Sequence, residues 1–184
     1  FAGEAFVPLG ARDFGPMLDV IGSSEADGVL VLMVGADNAA FNRAFARAGL
    51  DQNMVRLSLM IGEDVLCASG SGATTGLYTA CGYFESLPTE VNMGFGSHYL
   101  QRFGSAAPAL NNIGESCYEG LLLLTALAQT ARSLEVATID RVRSNVAYQG
   151  PRGEVAMRGA HTRQPVYLAS ADELEFDVIV ELTS

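Results

Sequence analysis

The residues able to do chemistry sit at three glycine-bearing corners. Gly35-Ala36-Asp37, Met60-Ile61-Gly62-Glu63 and Gly82-Tyr83-Phe84 each follow a strand-like run. Glycine lets the backbone approach a ligand closely, and a helix starting at such a corner offers free N–H groups to a carboxylate or amide oxygen. Covalent chemistry has less to work with. All 11 basic residues are Arg. Without Lys there is no phosphate-loop lysine, no pyridoxal phosphate Schiff base and no Ser-x-x-Lys nucleophile pair. No Gly-x-Ser-x-Gly elbow occurs, and neither His98 nor His161 has a nearby Ser or Cys partner that the sequence can justify. Gly70-Ser71-Gly72-Ala73-Thr74-Thr75-Gly76 precedes a strand rather than a helix, the wrong context for dinucleotide binding. Cys67, Cys81 and Cys117 form no Cys-x-x-Cys and read as small buried or half-buried thiols. The expectation is binding rather than catalysis, with no catalytic residue, no metal and no cofactor.

The elements that position these corners follow from periodicity. Residues 3–8 alternate as a strand. Phe14, Met17, Leu18 and Ile21 recur at helical spacing, and Val29 to Val34 is an unbroken apolar run suited to a parallel strand covered on both faces. Asp37 is placed to cap the next helix, where Phe41, Phe45 and Ala48 recur and Gly49 closes the end. Val55–Met60 reads as a strand, Glu63–Ser69 as a short helix and Leu77–Phe84 as a strand. The pattern β-α-β-α-β predicts an α/β fold, a parallel doubly wound sheet with helices on both faces. Beyond it come helices over Pro88–Phe103, Asn112–Ala131 and Ala137–Asn145. Strands follow at Val155–Met157, Pro165–Ala169 and Phe176–Glu181.

Composition bounds the partners. The 184 residues are 49% hydrophobic and 17% charged, enough for a real core and unlike a disordered chain. A net charge of −10 repels phosphate backbones, so nucleic acid is not expected. No apolar run reaches the roughly 18 residues of a membrane span. The first residue is Phe and no secretory leader is visible, which reads as a processed chain or a fragment.

In order and spacing, several motifs together resemble the second lobe of a type I periplasmic binding protein, of the branched-chain amino acid, amide and urea branch. They are Gly3-Glu4-Ala5-Phe6-Val7-Pro8-Leu9 running to Asp13-Phe14, Val34-Gly35 with Phe41-Asn42-Arg43-Ala44-Phe45, and Thr75-Gly76-Leu77-Tyr78 with Gly82-Tyr83-Phe84. Phe95 to Phe103, Ser116-Cys117-Tyr118-Glu119-Gly120-Leu121 and Tyr148-Gln149-Gly150-Pro151-Arg152-Gly153-Glu154-Val155, with His161 beyond, complete the set. The resemblance implies a partial two-lobe chain. Residues 1–84 form the second lobe, 85–147 the returning helices that normally pack on the first lobe, and 148–184 a β-rich tail. It also implies the function: the ligand-binding portion of a solute-binding protein for an ABC importer. The ligand is a small amide, a urea derivative or a branched-chain amino acid, the partner is the permease, and the setting is periplasmic or extracellular. The other reading is an amide-sensing cytoplasmic regulator. Glu63 stands where amino acid-binding relatives place the acid that meets the ligand's ammonium group. It is the first candidate contact, followed by Ala36, Asp37 and Met60, with Tyr83 at the third corner. Plainer readings stand beside these. Glu63 with Asp64 suits any helix start, Asp37 is an N-cap, Tyr83 packs in a core and His161 lies in a surface turn. The strand and helix that normally open the lobe are missing. Residues 3–8 are therefore expected to pair directly with Val29–Val34, or a partner chain supplies strands. The apolar face of Asn112–Ala131 needs cover, so a homodimer is expected.

Overall fold

The apolar residues Phe14, Leu18, Phe41 and Phe45 form one stripe on each of two helices, and these stripes close on one strand. The computed structural model describes residues 1–59 and 61–182, and the chain divides into two units: residues 1–81 with 168–180, and residues 82–167 with 181–184. In the first unit, helices α1 (Gly15–Gly22) and α2 (Gly35–Arg47) pack against Val29 and Val31 of strand β1 (Gly28–Val31). Phe14 meets Phe41 edge-on at 5.8 Å and Phe41 meets Phe45 at 5.7 Å, arrangements that suit the ring quadrupoles. Strand β2 (Val55–Ser58) leads into helix α3 (Glu63–Ser69), and strand β3 (Leu77–Cys81) follows. Both strand pairs are parallel, with Leu30 beside Leu57 and Leu57 beside Tyr78.

The second unit holds helices α4 (Glu90–Phe103), α5 (Asn112–Ala131) and α6 (Val136–Val142). Thr89 caps α4 by accepting from the Asn92 amide at 3.1 Å, and Asn111 caps α5 by accepting from Gly114 at 2.8 Å. Strands β4 (Ala147–Gly150), β5 (Gly153–Arg158) and β6 (His161–Arg163) form an antiparallel sheet with β5 central. Gly150 pairs with Gly153, so Pro151-Arg152 is a two-residue hairpin turn. Strands β7 (Val166–Asp172) and β8 (Glu175–Leu182) then complete the first sheet in the order β1-β2-β3-β7-β8. The result is the α/β architecture expected, a largely parallel sheet with flanking helices.

Three local expectations fail for physical reasons, while α5 shows the uncovered apolar face expected of it. Residues 3–8 form no strand, because β1 pairs only with β2 and no ladder partner lies beside the segment; Val7 alone packs against the core. The run Val29–Val34 is not covered on both faces. Its strand ends at Val31, and Leu30 and Leu32 stand 58% and 66% exposed opposite the helices. The long helix α5 turns inward its polar residues, with Glu115 and Glu119 buried while Leu121 and Leu124 are exposed. The thiols of Cys67 and Cys117 are exposed, and only Cys81 is buried. The short strands β4 and β6 were not anticipated. Four and three residues carry too little alternation to stand out.

A buried arginine organises the first unit. Arg56 of β2 has none of its surface exposed and lies 4.7 Å from the Phe45 ring. Its Nη1 donates to Asn42 Oδ1 at 2.8 Å and its Nη2 to the Thr75 carbonyl at 2.7 Å. Burial lowers its pKa to about 10, the opposing influence being Asp51, so it remains charged at neutral pH. Arg56→Met leaves the buried Asn42 Oδ1 without its donor and removes the bond to the Thr75 carbonyl. The expected loss is about 2–4 kcal/mol in urea unfolding, several times that of the surface change Arg132→Met.

Candidate functional site

The first two corners are built where a parallel strand gives way to a helix. The residue before α2 is Val34, in extended conformation, and it supplies no side-chain cap; the residue before α3, Gly62, supplies none either. The first-turn N–H groups of α2, at Gly35, Ala36 and Asp37, have no partner within the helix. Gly35 and Ala36 are exposed. Gly35 has φ +52, and nothing lies within 4 Å of the place a Cβ would occupy. Open space therefore faces this backbone. Asp37 is not the cap. The helix starts two residues earlier, and the Asp37 carboxylate accepts from the Gly10 amide at 2.7 Å. Glu63 opens α3 and is buried, with Asp64 beside it in the first turn, a charge that suits the positive helix end. Met60 lies outside the described residues. Tyr83 belongs to the second unit, is fully buried, and donates to Asn92 Oδ1 at 2.9 Å. His161 is exposed on β6.

Sequence reasoning missed the residue that ties two corners together. Asn38 is fully buried in α2; its amide donates to the Met33 carbonyl and to Ser58 Oγ, each at 2.9 Å. Met33 lies just beyond β1 and Ser58 ends β2, so one side chain holds both strand exits. Asn42 continues the chain, donating to Asn38 Oδ1 at 2.8 Å and accepting from Arg56. The signal was present: two Asn one turn apart on the helix face that also carries Phe41 and Phe45.

The second unit contains a denser cluster. Glu115 and Glu119, one turn apart on α5, both reach Arg152 in the β4–β5 turn. Arg152 Nη2 bonds Glu115 Oε2 and donates to Ser116 Oγ at 2.7 Å, while Nε lies 2.9 Å from Glu119 Oε2. Tyr167 donates to the Arg152 carbonyl at 2.7 Å. Two glycines make the room. A Cβ on Gly150 overlaps Glu119 Oε1, and one on Gly82 comes within 2.7 Å of Arg152 Nη1. Among the described residues no group of His, Cys, Asp and Glu is arranged to hold a metal, and no helix is long and apolar enough to cross a membrane.

Residues 1–174 match the family described as periplasmic binding protein. The chain belongs to that family. Solved structures share the fold. An amino acid ABC transporter substrate-binding protein from Pseudomonas fluorescens Pf-5 superposes with a TM-score of 0.84 at 20% identity, over 98% of this chain and 50% of that one. A leucine binding protein from Thermotoga maritima MSB8 gives 0.80 at 17% identity, over 97% and 51%. A solute binding protein of an R. palustris ABC transporter, in complex with 4-hydroxybenzoate, gives 0.81 at 21%, over 98% and 51%. This chain thus spans about half the length of the structures it matches. No curated protein sequence matches it.

In this periplasmic binding protein the charges of the Arg152 cluster do not balance, since two carboxylates face one guanidinium. Burial and the hydrogen bond shared with Glu119 push Glu115 up to about 8, against the attraction of Arg152. Tyr148, whose hydroxyl lies 3.4 Å from Glu119 Oε2, is raised to about 12 by burial and by that carboxylate. The folded chain keeps the Glu115 proton that the unfolded chain releases near 4.5. Between these values the native state binds more protons, so stability falls as pH rises and levels off above about 8. Glu115→Gln preserves the neutral form. Its melting temperature is expected to match the parent at acid pH and exceed it above pH 8; parallel curves for the two proteins would remove the shared proton.

Proposed function

We propose that this chain is the ligand-binding portion of an ABC-transporter solute-binding protein, taking a small amide, urea derivative or branched-chain amino acid. The observation that carries the reading is the uncapped start of α2, exposed at the end of β1 behind Gly35. Helix N-termini outside the carboxyl ends of parallel strands are the places where open α/β sheets hold anionic or carbonyl-bearing ligands. Among the three ligand classes the amino acid is favoured. The structural neighbours named for amino acids, leucine and 4-hydroxybenzoate share solutes with a carboxylate on an apolar body. In this reading the backbone of Gly35, Ala36 and Asp37 meets the carboxylate, and Glu63 meets the ammonium group. Asp37 contributes its amide, its carboxylate being held by Gly10. The transporter permease is the partner and the periplasm the setting.

Amide NMR of the chain tests it. Leucine is expected to move the Gly35, Ala36 and Asp37 amide resonances along a saturating curve; acetamide and urea are the comparison arms. If none of the three moves these amides, the reading fails. Gly35→Val, which forces a branched side chain into φ +52, is expected to cost about 1–2 kcal/mol and abolish the shifts.

The homodimer belongs to the same proposal. Ile113, Leu121 and Leu124 of α5 stand 73%, 66% and 51% exposed, an apolar surface that favours cover by a second chain. Light scattering is expected to give twice the chain mass, reduced to a single mass by Leu121→Asp. A single mass for the parent at every concentration removes the dimer.

A further inference from the structure

A second surface of the first unit has a charge opposite to that of the whole protein. Arg12, Arg43 and Arg47 line a groove of about 270 Å³ whose floor is Phe14, Leu18 and Ala44. Arg43 and Arg47 stand one turn apart on α2; Arg12 comes from the segment before α1. That segment is held in place. The Gly10 amide is fixed by Asp37, and Phe14 is buried edge-on against Phe41. The three guanidinium groups therefore come from two elements locked to one another.

Three of the other eight arginines have carboxylate partners. Arg143 pairs with Asp140, Arg152 with Glu115 and Glu119, and Arg163 with Glu154. Among the described residues none of the three groove arginines forms an ion pair with a carboxylate. Arg43 Nη1 donates to the Ala68 carbonyl, which orients the guanidinium without neutralising it. The one acid in the groove, Asp13, accepts from the Gly15 amide at 2.8 Å. A chain with 21 acidic residues and 11 arginines has thus gathered three of them, unpaired, around one concavity. Such a place concentrates positive potential, and the guanidinium fork matches the oxygens of carboxylate and phosphate.

We propose that this groove binds a free small oxyanion of phosphate or carboxylate chemistry. The site is separate from the start of α2, because Arg43 and Arg47 lie in the second half of that helix. A groove of this volume accepts a phosphate-sized group together with a few waters, and over its apolar floor three guanidinium groups outnumber the single carboxylate of Asp13.

The test uses inorganic phosphate and benzoate, each at constant ionic strength, against sodium chloride. The Arg Nε–H resonances of Arg12, Arg43 and Arg47 are expected to move along a saturating curve with one of the two oxyanions, while the Gly35 amide stays still with phosphate. Phosphate alone identifies a phosphate site, and benzoate alone a carboxylate site. The double variant Arg43→Gln with Arg47→Gln is expected to weaken binding about tenfold or more. Should that variant unfold, Arg12→Gln, which changes only an exposed side chain, is expected to weaken it alone. Shifts no larger than those of chloride, or shifts unchanged by Arg12→Gln, overturn the site. Failure of leucine to move the Gly35 amide bears on the α2 start alone, so the two sites stand or fall separately.

Discussion

One buried cation holds the first unit in register. Arg56 sits on the central part of a parallel sheet, where water cannot reach its guanidinium. A charge there is costly unless acceptors meet its donors and fix its position. Asn42 supplies one acceptor from α2 and Thr75 another from the approach to β3. Through Asn42 the constraint reaches Asn38, and through Asn38 the exits of β1 and β2. The exits of β1 and β2 are therefore set by a line of polar contacts from Arg56 through Asn42 to Asn38. The aromatic layer of Phe14, Phe41 and Phe45 fills the rest, with Phe45 beneath the guanidinium itself.

The second unit repeats the theme with the signs rearranged. Arg152 is again a buried cation, but its partners are two carboxylates on one helix. The surplus negative charge is relieved by a proton on Glu115 rather than by a second arginine. This explains why α5 buries its polar stripe and leaves Leu121 and Leu124 outside. The helix is pinned by the ion cluster, and apolar burial does not choose its rotation. Gly82 and Gly150 stand where any side chain collides with the cluster. The Gly-Pro-Arg-Gly turn is thus the delivery of one buried arginine.

Much of the fold was legible. Glu63–Ser69 and Asn112–Ala131 were read to the residue, because a polar start and an unbroken helical period mark both. Strands β1, β2 and β3 and the corners after them were legible from apolar runs ending in glycine, and the family from the resemblance of ordered motifs. What failed among the strands shares one cause, the absence of a neighbour. Residues 3–8 have the composition of a strand, yet a strand exists only in a ladder. The run after Gly28 has the composition of a buried strand, yet only one of its faces meets helices. Asp37 has the identity of a cap, yet α2 begins ahead of it.

By itself the sequence determined the alternation of elements, the places where strands give way to helices, and the absence of lysine chemistry. These depend on local periodicity and on residue type, which are properties of a short window. Only the tertiary structure decided which polar residues are enclosed. That Arg56 and Arg152 are buried while Arg12 and Arg47 are exposed follows from long-range packing, since all four are equally polar as written. The pairing of Asn38 with Ser58, and of Arg152 with Glu115, joins residues 20 and 37 positions apart. No local pattern encodes such contacts. They arise because a buried charge or amide must find its partner wherever the fold brings one.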